Sequence, residues 1–202
     1  MTKIIVKRSI YFILLCNIIV SCNEDPIVPK RPTYLQIDFP NYTFHLQKGS
    51  GPYEFKMPDT WVLKDPVLEF DGTYCQEEID LSIGREINGI TALLYRKFDD
   101  KDTLLQLITD SNKKVDYEKI KANTIHYNQI IDEENRIYGT FFELIGDGVA
   151  TPFQFYLTDS LNNYMHGSVY MSYSKYEAAK PLLNHIKSGI LELINTIKWA
   201  KD

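Results

Sequence analysis

The chain has 202 residues, with 22 Lys and Arg against 27 Asp and Glu, and a formal net charge of −5. An acidic balance argues against nucleic acid as a partner and against electrostatic docking on anionic lipid headgroups. Three cysteines, at positions 16, 22 and 75, leave no room for a disulfide framework.

The N-terminus opens on Lys3, Lys7 and Arg8, followed by an apolar stretch over 10–20 that closes on Ile19-Val20-Ser21-Cys22. The stretch is too short for a membrane span. The branched apolar residue and Ser ahead of a cysteine look like a bacterial lipobox rather than an Ala-x-Ala cleavage site. The expectation is a signal peptide over 1–21 and diacylation of the Cys22 thiol. Two or three acyl chains anchor stably, whereas one holds only reversibly. Loss of 1–21 removes three cations and no acid, so the mature chain carries about −8. Its length suits one sizeable core and is short for two. Cys75 is then the remaining thiol and reads as a buried apolar residue.

Residues 22–33 hold Pro26, Pro29 and Pro32 and little to bury. They read as an extended tether that lifts the domain about 30 Å at polyproline spacing. The folded domain is expected over 34–202. Its 14 Tyr and 10 Phe suit a sheet-rich fold.

The front half reads as short strands over 35–39, 42–47 and 53–57, with turn signals at Pro40-Asn41 and Gly49-Ser50-Gly51-Pro52. Pro58 ends the third, and 61–70 reads as irregular. Ile79, Leu81 and Ile83 alternate, and Asn88-Gly89 predicts a tight hairpin into a strand over 90–98. Asp99-Asp100-Lys101-Asp102 opens a helix whose apolar face is Leu104, Leu105, Ile108 and Val115, with Ser111-Asn112 ending or kinking it. Four strands with short connections follow over 124–131, 136–145, 150–158 and 164–173, a predicted antiparallel meander. Leu182, Leu183, Ile186, Ile190, Leu193, Ile194 and Ile197 form one helical stripe, with Pro181 expected in its first turn and Trp199 sealing its end. The fold class is α+β: an antiparallel β-sheet with packed helices.

The chain carries no nucleophile elbow, Walker loop, dinucleotide fingerprint or zincin motif. His45, His126, His166 and His185 are scattered singly, and surface or satisfied roles outrank a metal pair of His126 and His166. Asp132-Glu133-Glu134 reads as a solvated hairpin tip, because it lacks the glycine and distal glutamate of a calcium loop. Asp159-Ser160 reads as a turn, and only a cluster with His166 would make it a hydrolase site. No cofactor and no metal is implied.

Several segments carry a family pattern: Tyr138-Gly139, the run Gly146-Asp147-Gly148-Val149-Ala150-Thr151-Pro152-Phe153-Gln154-Phe155-Tyr156-Leu157-Thr158-Asp159-Ser160, and His166-Gly167-Ser168-Val169-Tyr170. So do Arg31-Pro32-Thr33-Tyr34-Leu35-Gln36-Ile37-Asp38-Phe39-Pro40, Pro52-Tyr53-Glu54-Phe55-Lys56-Met57-Pro58 and Ile197-Lys198-Trp199. Together they resemble the gliding-motility lipoprotein GldD family of the Bacteroidetes. Two positions depart from it. Gln76 follows Cys75 where the family often has Trp, and His166 stands before Gly167 where Arg is common.

The resemblance implies a lipid on Cys22 and a non-enzymatic role in gliding and type IX secretion. Its implied partners are a membrane, reached through the N-terminal lipid, and other envelope proteins. The localisation it implies is the cell envelope, at the inner or outer membrane, with the domain in the periplasm. Polar or aromatic positions within the matching segments, Asp38, Asp159, Ser160, Tyr164 and His166, are the candidate partner contacts. The element order also looks like an α-β-α sandwich of PsbP/Mog1 type. The competing expectation is a periplasmic small-ligand or metal-binding lipoprotein, which requires a deep pocket.

Overall fold

The computed structural model describes Phe39, residues 41–81 and residues 89–200. Cys22, Asp38 and the tether lie outside the described residues, as does most of the first predicted strand.

The domain is α+β. Alternating Tyr53, Phe55 and Met57 form β2 (Tyr53–Pro58), which pairs antiparallel with β1 (Phe44–Lys48). Seven further strands build a larger sheet: β3 (Val62–Leu63), β4 (Tyr74–Asp80), β5 (Gly89–Lys97), β6 (Thr124–Asp132), β7 (Ile137–Ile145), β8 (Phe153–Thr158) and β9 (Asn163–Met171). Their order is β3-β4-β5-β9-β8-β7-β6, and every pairing is antiparallel. The last four form the expected meander, whose short turns leave sequential strands as neighbours. A two-residue β10 (Lys198–Trp199) returns to pair with β2.

The β4–β5 hairpin differs from expectation. Asp80 pairs with Ile90, and the Leu81 amide donates to the Gly89 carbonyl. That register excludes a two-residue turn at Asn88-Gly89. The alternation of Ile79 and Leu81 is real, but the strand stops at Asp80 and the connection runs through 82–88, outside the described residues.

Helix α1 (Lys101–Glu118) starts where Asp100 caps the Thr103 amide at 2.8 Å. It runs straight past Ser111, because that hydroxyl turns inward onto β9 instead of breaking the helix. Leu105 is exposed and Val115 is buried.

Helix α2 (Tyr176–Thr196) starts earlier than Pro181 implied, so the proline sits inside it. Lys175 supplies no side-chain cap. Asp147, from the β7–β8 loop, does so from a distance, accepting from the Tyr176 amide and the Lys175 ammonium, each at 2.8 Å. A carboxylate there also meets the positive end of the helix dipole.

The two faces of the large sheet carry different cores. Leu183, Ile186, Ile190, Leu193 and Ile194 of α2 pack with Phe55, Leu93, Phe141, Phe155 and Val169. On the other face Val115 of α1 packs with Phe142, Leu144 and Val149. The chain enters the domain along α2, where the His185 ring stacks between Phe39 at 4.6 Å and Tyr42 at 4.0 Å.

Candidate functional site: the hairpin-tip end

The alternation of β9 decides the fate of two candidate contacts. Residues 164, 166 and 168 share the face beneath α1, and Tyr164, His166 and Ser168 are all buried. Ser111 reaches down between them, bonding the Tyr164 hydroxyl and, at 2.8 Å, His166 Nδ1. His166 Nε2 meets Ser168 Oγ at 2.9 Å, and Tyr164 donates to the Leu107 carbonyl at 3.0 Å. One proton arrangement satisfies every group: Ser111 donates to Tyr164, His166 Nδ1–H to Ser111, and Ser168 to Nε2. Burial, aided by the charge of Lys114, pushes His166 down to about 3, so the ring is neutral. Burial raises the Tyr164 phenol. These side chains fasten α1 to the sheet and present no surface to a partner, which corrects the expectation for Tyr164 and His166.

Asp159 and Ser160 lie at the β8–β9 tip. Asp159 Oδ1 accepts from the amides of Leu161, Asn162 and Asn163 at 2.8, 3.0 and 2.9 Å, and Oδ2 from the Asn163 side chain at 2.6 Å. Burial pushes this carboxyl up, but the four donors outweigh it and hold the group below its ordinary value. Ser160 has φ of 62° and donates its amide to Thr158 Oγ1. Among the described residues His166 bonds to Ser111 and Ser168 and not to Asp159 or Ser160, so the hydrolase cluster does not assemble. His126 sits on edge strand β6, three strands from His166, with its ring 3.6 Å from Glu143. Among the described residues no group of three His, Cys, Asp or Glu side chains converges.

The β6–β7 and β8–β9 tips and β10 do converge. They line a cleft of about 440 Å³ that includes Glu134, Arg136, Asp159, Leu161, Lys198 and Trp199. A second depression of about 410 Å³, lined by Lys48, Gly51, Tyr53 and Glu54, shares Lys198, Trp199 and Ala200 with the first. β10 is therefore a ridge between two hollows. Among the described residues the non-glycine positions with positive φ are Arg136 and Ser160, one in each tip. Such backbone costs energy and concentrates at functional positions. Asp132 is more than a solvated tip residue, since it accepts from the Asn135 amide and side chain at 3.0 and 2.7 Å. The β7–β8 turn, Gly146-Asp147-Gly148, lies apart from the other two turns of the meander and caps α2.

Behind the second hollow sits a group that sequence reading passed over. Glu77 is fully buried, accepting from Tyr53 at 2.5 Å and from the Ser50 amide at 2.9 Å. Its position on the core-facing side of β4, between Cys75 and Ile79, was the available signal. It pins the 49–51 loop to the sheet. Burial raises the neighbouring Cys75 thiol, which matches a packing role for that residue. The tip end thus offers mixed charge, the exposed Leu161 side chain and part of the Trp199 indole. It suits recognition of a protein segment more than bond-breaking chemistry.

No curated protein and no solved structure shows significant similarity to the chain. The family model described as gliding motility lipoprotein GldD matches residues 24–199, nearly all of the described domain. The chain belongs to the gliding motility lipoprotein GldD family.

Proposed function

We propose that the chain is a non-enzymatic envelope lipoprotein that acts as a component or assembly factor of a gliding-motility or type IX secretion apparatus. The family match over 24–199 carries this reading. Residues 1–21 are removed as a signal peptide, and acyl chains on Cys22 hold the mature protein to the inner or outer membrane. The 22–33 tether extends the 34–202 domain into the periplasm. The tip-end cleft binds other envelope proteins, with Arg136 and Lys198 offering cations, Glu134 an acid and Leu161 an exposed apolar contact. Ser160 belongs to that surface, and Asp159 shapes it. Asp38 remains in this proposal as a contact near the tether. Likeness to the PsbP/Mog1 sandwich rests on element order and adds nothing about function.

Radiolabelled palmitate should label the native chain and not Cys22→Ala; equal labelling contradicts the anchor. Deletion of the gene in a spreading host should reduce surface spreading and export of a type IX substrate. Normal behaviour in both assays overturns the reading.

A further inference from the structure

Most sheet edges in the described residues are poor templates for another strand. β3 and β10 have two residues each, and β1 has five and ends in Lys48. β6 differs. It is the outermost strand of the large sheet, runs nine residues in unbroken register with β7, and contains neither Lys nor Pro. Exposed edges of this length are normally blunted by a lysine, a proline or a bulge, because their outward N–H and C=O groups recruit a further strand. Tyr127 and Ile131, on one face of β6, are 57% and 63% exposed. On the other face a groove of about 300 Å³ separates the strand from Leu191, Ile194 and Asn195 of α2, so the helix stops short of the edge.

The order of residues along β6 selects the occupant. Consider a second copy of β6 laid antiparallel against the first and centred on Gln129. Tyr127 then faces the copy's Ile131, and Ile131 faces the copy's Tyr127. His126 faces the copy's Asp132, and the reverse holds by symmetry. Directly opposed residues share a face and interact as pairs: Tyr127 against Ile131 is an aromatic–aliphatic pair, and His126 against Asp132 sets a ring N–H donor beside a carboxylate acceptor. Moving the centre to Asn128 sets Tyr127 against Gln129 and loses both kinds of pair. We propose that β6 is a homodimerisation edge, joining two copies of this chain through one continuous antiparallel sheet. The two-fold axis passes through Gln129, and the contact is isologous. This edge is distinct from the tip-end cleft, so the proposal goes beyond the function proposed above.

The test uses the full-length chain carrying Gln129→Cys, extracted in mild detergent and oxidised. Opposed Cα atoms in such a pair lie about 4.5–5.5 Å apart, within the usual disulfide span of about 4.4–6.8 Å. A band at twice the chain mass is expected. It should be missing from the unsubstituted chain, whose Cys75 is buried, and from Val62→Cys at the opposite sheet edge. Adding Ile131→Lys to Gln129→Cys should abolish the band with the far-ultraviolet circular dichroism unchanged, because Ile131 is exposed in the single copy. No band from Gln129→Cys, an equal band from Val62→Cys, or an adduct of any other mass overturns the proposal.

Discussion

Asp159→Ala separates a turn-forming carboxylate from a partner-contacting one. Four donors converge on this side chain, three of them backbone amides in a tip that is partly shielded from water. A buried donor left without an acceptor costs about 1–3 kcal/mol. Water reaches part of the tip, so the lower figure applies to each amide and the total is about 3 kcal/mol. For a domain of this size each kcal/mol moves the melting temperature by about 2–4 °C, so the variant should melt about 6–12 °C lower. Asp159→Asn keeps one carbonyl oxygen for the amides and should lose about half as much. The folded-state carboxyl is held below the unfolded value of 3.8. Its contribution is therefore complete above that value and fades as the pH falls through the lowered one. The gap between native protein and Asp159→Ala should accordingly be constant near neutrality and shrink below pH 3.8. Thermal circular dichroism measures both. A shift under about 2 °C at pH 7 would refute the turn role.

Three further outcomes follow from the packing. A Cβ on Gly167 would lie 2.1 Å from the Phe155 ring, and one on Gly139 would lie 1.9 Å from the Tyr156 carbonyl oxygen. Gly167→Ala should thus cost about 1–3 kcal/mol and Gly139→Ala more, since backbone yields less than a ring; denaturant midpoints in the reverse order would contradict this. His166 is neutral and buried with its value lowered from 6.5 to about 3, so the unfolded chain binds a proton that the folded chain refuses between those values. Stability is complete above pH 6.5 and falls on acidification by up to about 1.4 kcal/mol per pH unit, and His166→Gln should flatten that slope; identical slopes count against it. Ile194→Asp places an unpaired carboxylate in the α2 core and should abolish cooperative melting, whereas a cooperative melt near the native temperature would remove α2 from the core.

Local patterns were legible in the chain. The β6–β9 meander follows from period-two alternation broken by short polar turns, α1 from its Asp100 cap, and α2 from one apolar stripe. Long-range partnerships were not. Nothing local marks Asp147 as the cap of a helix that begins twenty-nine positions later. Ser111 reads as a helix breaker until Tyr164 and His166 arrive beneath it. Asn88-Gly89 is a strong turn signal, yet the Asp80–Ile90 register prevails over it. Tyr164 and His166 lie in segments that match a family, and such a pattern holds packing residues as readily as contact residues; both are buried. The tip-end cleft is legible in part, because Asp159 and Ser160 of the β8–β9 tip stand among the candidate contacts. The joining of two tips by β10 depends on a return of the chain that two strand residues could not announce.

The central claim is that this lipoprotein works through its tip end. The direct measurement is complementation of a deletion strain with Arg136→Glu combined with Lys198→Glu, both exposed at the cleft. The account predicts a variant that reaches the membrane fraction at native level, melts within a few degrees of the native protein, and fails to restore spreading and type IX export. Full restoration by that folded, membrane-bound variant would contradict it.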